Sequence, residues 1–123
     1  MKVIHYERMW RNPINLDNNS FGHCFYIPEE GVLLYQTKTG SNVHFRYGIY
    51  QQFLNEAEQI AEGNIPKEEG LTISNVKEFE TSSSNLNKLI NQIGRRDSLE
   101  DQIKTEFDEL FSKMRDLVKN LEY

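Results

Sequence analysis

A single cysteine, Cys24, stands in a chain of 123 residues, so no internal disulfide can form. That fits a reducing interior, where thiols stay free. No run of about 18 apolar residues occurs, which leaves no candidate for a membrane-spanning helix. The opening Met1-Lys2-Val3-Ile4-His5-Tyr6-Glu7 turns charged too soon for a secretory signal. Positive charge is also in short supply: Lys and Arg number 14 against 19 Asp and Glu, a net charge of -5. Coating nucleic acid requires a basic patch or stripe, so that class of partner is not expected. No Walker loop, GxGxxG or H-E-x-x-H is present, and no nucleophile, base and orienting group can be assembled by spacing. The chain therefore reads as a soluble, cytoplasmic, non-enzymatic protein with no membrane and no cofactor.

What is present suits one domain over residues 1–123, with 37% apolar residues for one modest core. Of the 14 aromatic residues, 10 fall within the first 53 positions, among turn signals that divide the region into short apolar segments. Residues 1–47 thus read as β-rich and 48–123 as mostly helical, an α+β chain with an N-terminal antiparallel meander. Gly22 to Ile27 and Val32 to Thr37 flank Pro28-Glu29-Glu30-Gly31, where proline presets a turn and glycine can take a positive φ. The third strand returns as Asn42 to Tyr47, with Val43, Phe45 and Tyr47 alternating onto one face. Val3, Ile4 and Tyr6 suggest an added strand, and Asn12 to Ser20 a loop.

After Tyr47 the apolar period lengthens. Tyr50, Phe53, Leu54, Ala57, Ile60 and Ala61 share one helical stripe that Gly63 can close. Asn64 to Gly70 reads as loop and Leu71-Thr72-Ile73 as a short strand, with helical or irregular structure at Val76 and Phe79. Ser84 caps a short helix marked by Leu86, Leu89, Ile90 and Ile93. The last helix starts at Asp97 or Ser98 and runs to about Leu121. Its seam of Ile103, Phe107, Leu110, Met114, Leu117 and Leu121 is widened by Phe111 and Val118. Such a helix spans roughly 36 Å, against a radius of gyration of about 13–14 Å for a compact chain of this size. A second copy would bury the remainder, which favours a homo-oligomer; a helix laid along its own sheet is the alternative.

Two clusters invite a ligand. Gly94-Arg95-Arg96-Asp97-Ser98 sets two guanidinium forks between a helix end and a helix start, suited to a diphosphate. The competing reading gives Arg95 to the helix dipole and Arg96 to a surface carboxylate. Trp10 and Arg11, with Tyr6 and Arg8, could stack a base and pair a phosphate, form an interface anchor, or simply pack. Phe79 could stack on a planar ligand or fill a small core. His5, His23, Cys24 and His44 are zinc-ligand types at poor spacing, because His23 and Cys24 are strand neighbours that point to opposite faces. The same geometry weakens a Cys24 nucleophile.

Length, element order, Trp10-Arg11 near the start and Gly94-Arg95-Arg96-Asp97 near the end together resemble the phage-encoded Thoeris anti-defence sponge proteins. The resemblance covers most of the chain at the level of architecture. It implies a homo-oligomer in the host cytoplasm that binds a cyclic ADP-ribose-type nucleotide, a defence signal, and sequesters it uncleaved. Arginines would hold the diphosphate and aromatics stack on adenine. Chemistry assigns those roles to Trp10, Arg11, Phe79, Arg95 and Arg96, with Asn91 at a base edge or ribose. The alternative is an acidic protein-protein inhibitor or adaptor of phage origin, whose carboxylates between Glu100 and Asp116 mimic a phosphate backbone.

Overall fold

The structure, a computed structural model, describes residues 1–11, 19–39, 45–49, 53–81, 86–88, 91 and 101–122, with side chains over 1–11, 21–36, 53–81, 86–88, 91 and 105–119. Its elements in chain order are β1 (Lys2–Arg11), β2 (Asn19–Ile27), β3 (Val32–Thr39), β4 (Phe45–Ile49), α1 (Leu54–Ala61), β5 (Leu71–Glu80) and α2 (Asp101–Glu122). The strands form one antiparallel sheet in the order β4-β3-β2-β1-β5. The chain is α+β, as its sequence pattern indicates.

Both faces of the sheet are covered, and the alternation of side chains along each strand decides what each helix meets. Val3, Phe25, Ile27, Val32 and Leu34 pack beneath α2, against Phe107, Phe111, Met114 and Val118. The intervening residues Ile4, Tyr6, Cys24, Tyr26, Leu33 and Tyr35 face the other way and meet Ala57 and Ile60 of α1. Arg8 fastens α1 further: its Nε lies 2.9 Å from Oε1 of Glu56, and its guanidinium sits 4.3 Å from the centre of the Phe53 ring. Gly22 is required on that face, because a Cβ there would stand 2.6 Å from the Tyr35 ring.

Local signals explain several boundaries. Gly31 takes φ +62 and donates to the carbonyl of Ile27 at 2.9 Å, closing the β2–β3 hairpin as its turn residues foretold. Gly63, at φ +90, ends α1 while Asn64 N–H donates to the carbonyl of Gln59. β1, only suggested by the sequence, is a ten-residue strand between β2 and β5. Asn19 and Ser20 of the expected loop belong to β2, and the rest of that loop lies outside the described residues.

The region after Gly70 differs most from expectation. Val76 and Phe79 are neither helical nor irregular but belong to β5, which runs ten residues. The reason is a β-bulge: His5 pairs with Lys77 while Glu7 pairs with Ser74, so one extra residue enters β5. Asn75 takes φ +55 there. An extra residue reverses the parity of everything beyond it. Ile73 accordingly packs on the α1 side and Phe79 on the α2 side, although six positions apart they would share a face in a regular strand.

Helix α2 lies along its own sheet. Phe107, Phe111, Met114 and Val118 carry that contact, Leu110 is partly buried, and Leu117 is 39% exposed, so the buried stripe is rotated from the seam read in sequence. The side chains of Ile103 and Leu121 lie outside the described residues, as do Leu89, Ile90 and Ile93, whereas Leu86 is buried beneath α2. Replacing Phe111 by alanine removes a ring stacked edge-on to Phe25 at 4.7 Å and should cost about 3–5 kcal/mol in urea unfolding. Leu117→Ala should cost under about 1 kcal/mol. Equal costs would contradict this orientation of the helix.

Candidate functional site

The apolar surface beneath α2 stops partway along the sheet. On β1 the α2-facing series reads Val3, His5, Glu7, and on β2 it reads Ile27, Phe25, His23, so β1 turns polar at His5, opposite Phe25, and β2 at the next pair, His23 opposite Glu7. The bulge in β5 brings Asn75 alongside. Opposite them stand Ser112, Arg115 and Lys119, the flank of α2 beside its buried stripe. These residues, with Asp116 and Val118, line a cleft of about 470 Å3. That volume falls within the range of small-molecule sites.

Two imidazoles form its floor. Nε2 of His5 lies 3.2 Å from Nδ1 of His23, the rings stack with centres 5.4 Å apart, and His5 rests on Phe25 at 4.6 Å. Burial pushes His5 down to about 4, with the charge of His23 acting the same way. His23 is lowered as well, chiefly by burial; Glu7 opposes the fall while Arg115 and Lys119 add to it. Both rings are thus neutral near pH 7, each with one N–H and one bare nitrogen. One of them donates across the 3.2 Å gap. Whichever does, Nδ1 of His5 is left buried with no hydrogen-bond partner among the described residues, on a side chain 3% exposed. Such a group is costly unless something meets it.

Arg115 presents a similar deficit. Its Nε is buried and unpartnered among the described residues, and its guanidinium lies 5.9 Å from the Phe111 ring centre. Glu7 is anchored by one oxygen only: Asn75 Nδ2 donates to Oε2 at 2.5 Å and Ser74 Oγ to the same atom at 3.5 Å. Oε1 has no partner among the described residues. The cleft therefore offers the carboxylates of Glu7 and Asp116, two cations and a neutral imidazole pair to one guest.

No protein-family model, curated protein or solved structure matches the chain. The geometry of the cleft is therefore what bears on function.

The residues singled out by sequence are spread along the molecule. Trp10 is half-buried and Arg11 exposed at the end of β1, on opposite faces by alternation, and Arg11 N–H donates to the carbonyl of Gly70 at 2.7 Å. Phe79 pairs with Val3 at the other end of β1, seven strand steps or about 23 Å from the level of Trp10. Its ring is buried edge-on to Phe25 at 6.3 Å. Asn91 is exposed on a helical residue, and Arg95 and Arg96 lie outside the described residues. His23 and Cys24 do face opposite ways; Cys24 is fully buried, and burial pushes its thiol far up, so it holds no thiolate at neutral pH. Among the described residues no group of three or more His, Cys, Asp or Glu side chains could hold a metal ion, and His44 lies outside them.

The pairing of His5 with His23 escaped sequence reading because it needs the β1–β2 register. The available cue was local: His5 and Glu7 two apart in one strand, and His23 two before Phe25 in the next.

The depressed histidines make stability pH-dependent with a defined sign. The unfolded chain, where imidazole titrates near 6.5, takes up protons before the folded one does, so stability is complete above about pH 6.5 and falls as pH drops toward 4. Urea unfolding at pH 7 and pH 4.5 should show His5 responsible for about 2–3 kcal/mol of the difference. His5→Phe should lose correspondingly less over the same interval, whatever its absolute stability; an unchanged interval would contradict the buried neutral imidazole.

Proposed function

We propose that this chain is a non-enzymatic binding protein for a small phosphate-bearing nucleotide, of the cyclic ADP-ribose type that its sequence resemblance implies, and that it sequesters this signal against host antiviral defence. The observation that carries the reading is the pair of buried polar atoms, Nδ1 of His5 and Nε of Arg115, that have no partner among the described residues and belong to residues lining one cleft. A guest that satisfies both supplies hydrogen bonds that the described residues do not. Arg115 and Lys119 suit a phosphate, which guanidinium and ammonium groups bind through charge-assisted hydrogen bonds. The neutral imidazoles suit a base edge or a hydroxyl, since a ring with one donor and one acceptor can match either.

This moves the centre of the proposed site from Arg95 and Arg96 to the far half of α2. Arg115 stands fourteen residues, about 21 Å of helix, beyond Asp101. Arg95 and Arg96 remain candidates for the second phosphate of a diphosphate, with Arg11 and Asn91 as further contacts, whereas Trp10 belongs to the α1 face of β1, away from the cleft. A homo-oligomer in the host cytoplasm is part of the proposal, and the exposure of Leu117 on the outer flank of α2 supports a helix face with room for a second copy.

Incubation with cyclic ADP-ribose, removal of free ligand, denaturation and mass analysis of what is released tests the reading. Intact nucleotide should be recovered from the native protein, with at least a tenfold loss of affinity in Arg115→Ala combined with Lys119→Ala and unchanged melting by circular dichroism. Recovery of nothing, or of a hydrolysed product, would contradict it.

The second reading, an acidic inhibitor or adaptor, is favoured by the exposure of Glu106 and Glu109 on α2. Charge reversal at those two positions should leave nucleotide uptake intact, and abolish inhibition only if the acidic face is the active one.

A further inference from the structure

Glu7 is a half-buried carboxylate on an interior strand, and it is held in an unusual way. Its anchor, Asn75, is the one described non-glycine residue with positive φ, and it occupies the extra position of the β5 bulge. A left-handed residue in a strand costs free energy for any side chain but glycine, although Asn bears it better than most. Glycine would serve the backbone here at lower cost. What Asn supplies and glycine cannot is the amide that donates to Oε2 of Glu7. The bulge therefore aims a donor at one carboxylate oxygen and leaves the other, Oε1, without a partner among the described residues, on a residue lining the cleft. The cleft is itself a built site, since Nδ1 of His5, without a partner among the described residues, belongs to a residue only 3% exposed on the same strand face.

A carboxylate is an acceptor only, so the group it seeks is a donor without positive charge or with it. Arg115 and Lys119 stand in this cleft against Glu7 and Asp116, so the lining has no net negative charge to draw a cationic guest. A neutral donor remains, and a vicinal diol offers two hydroxyls at the spacing of one carboxylate. Carboxylates meet the ribose of dinucleotides by this chemistry.

We propose that Glu7, positioned by Asn75 across the bulge, is the residue by which the cleft selects a ribose diol over a deoxyribose. The inference rests on the nucleotide reading above. In the bound state one ribose hydroxyl donates to Oε1, its neighbour completes the shell of the carboxylate, and the phosphate lies toward Arg115 and Lys119. Removing a hydroxyl leaves a partly desolvated carboxylate oxygen unmet, which a half-buried group resists less than a fully buried one. Discrimination of about tenfold to a hundredfold is expected.

The test compares cyclic ADP-ribose with its 2′-deoxy and 2″-deoxy analogues by isothermal titration calorimetry on the full chain. At least one analogue should bind at least tenfold more weakly. Glu7→Gln should bring that ratio below about threefold, and Asn75→Gly should do the same, because glycine keeps the positive φ and removes the amide that orients Glu7. A merely structural Asn75 would instead leave the ratio unchanged in Asn75→Gly, whatever that variant's melting temperature. Equal affinity for all three ligands would overturn the role of Glu7 and leave nucleotide binding standing; failure of the parent nucleotide to bind would overturn both.

Discussion

Everything in this molecule hangs on the central pair of strands being buried on both faces. β1 and β2 have a neighbour on each side and a helix above and below, so each successive residue is committed to a different environment. Val3, His5 and Glu7 go to α2, and Ile4, Tyr6 and Arg8 to α1. A slip of one residue would carry Arg8 beneath α2 and Phe25 onto α1, exchanging the apolar sets wholesale. Register is thereby fixed by burial on two sides, and the Arg8 to Glu56 ion pair fastens α1 to the strand that the register has chosen.

That constraint also explains why the cleft exists where it does. A strand face that stayed apolar along its whole length would be sealed by α2. Here the face turns polar at His5 and His23 while the helix above continues with Arg115 and Lys119 on its flank. The fourth wall comes from β5, an edge strand with few buried side chains, which can carry a bulge that an interior strand would resist. Asn75 enters the cleft because of it, and Phe79 reaches the α2 core because the same extra residue reverses the alternation between them. One irregularity thus serves the core at one end of β5 and the cleft at its middle.

The signals carried by single residues or by short periodic runs were legible in the sequence. Pro28 and Gly31 marked the hairpin, Gly63 the end of α1, and Ala57 with Ile60 its buried face. Phe107, Phe111, Met114 and Val118 were all among the apolar positions recognised on the last helix, but a heptad seam gave precedence to Leu110 and Leu117. A flat sheet takes a broader stripe than a partner helix does, and the four residues at spacings of four, three and four supply it. β5 was shortened in sequence because its alternation breaks at Asn75, and a bulge is invisible to any test of period two. The site was less legible than the fold. Arg95-Arg96 and Trp10-Arg11 stand out by composition, whereas His5, Glu7, His23, Asn75 and Arg115 are single polar residues on four different elements that only the register brings together.

The chemistry of the cleft follows from its place at the edge of the core. His5 rests on Phe25, itself packed against Phe111, so the withdrawal from water that stabilises the aromatic cluster also keeps the imidazole uncharged. A charged His5 would repel any cation in the cleft and gain from any phosphate. A neutral one is indifferent to both and acts only through the direction of its hydrogen bond. Charge is left to the α2 flank and to Glu7, while orientation is left to the strands. A site divided in this way holds its polar groups in fixed directions before a guest arrives, because the packing that fixes them is the packing that folds the chain.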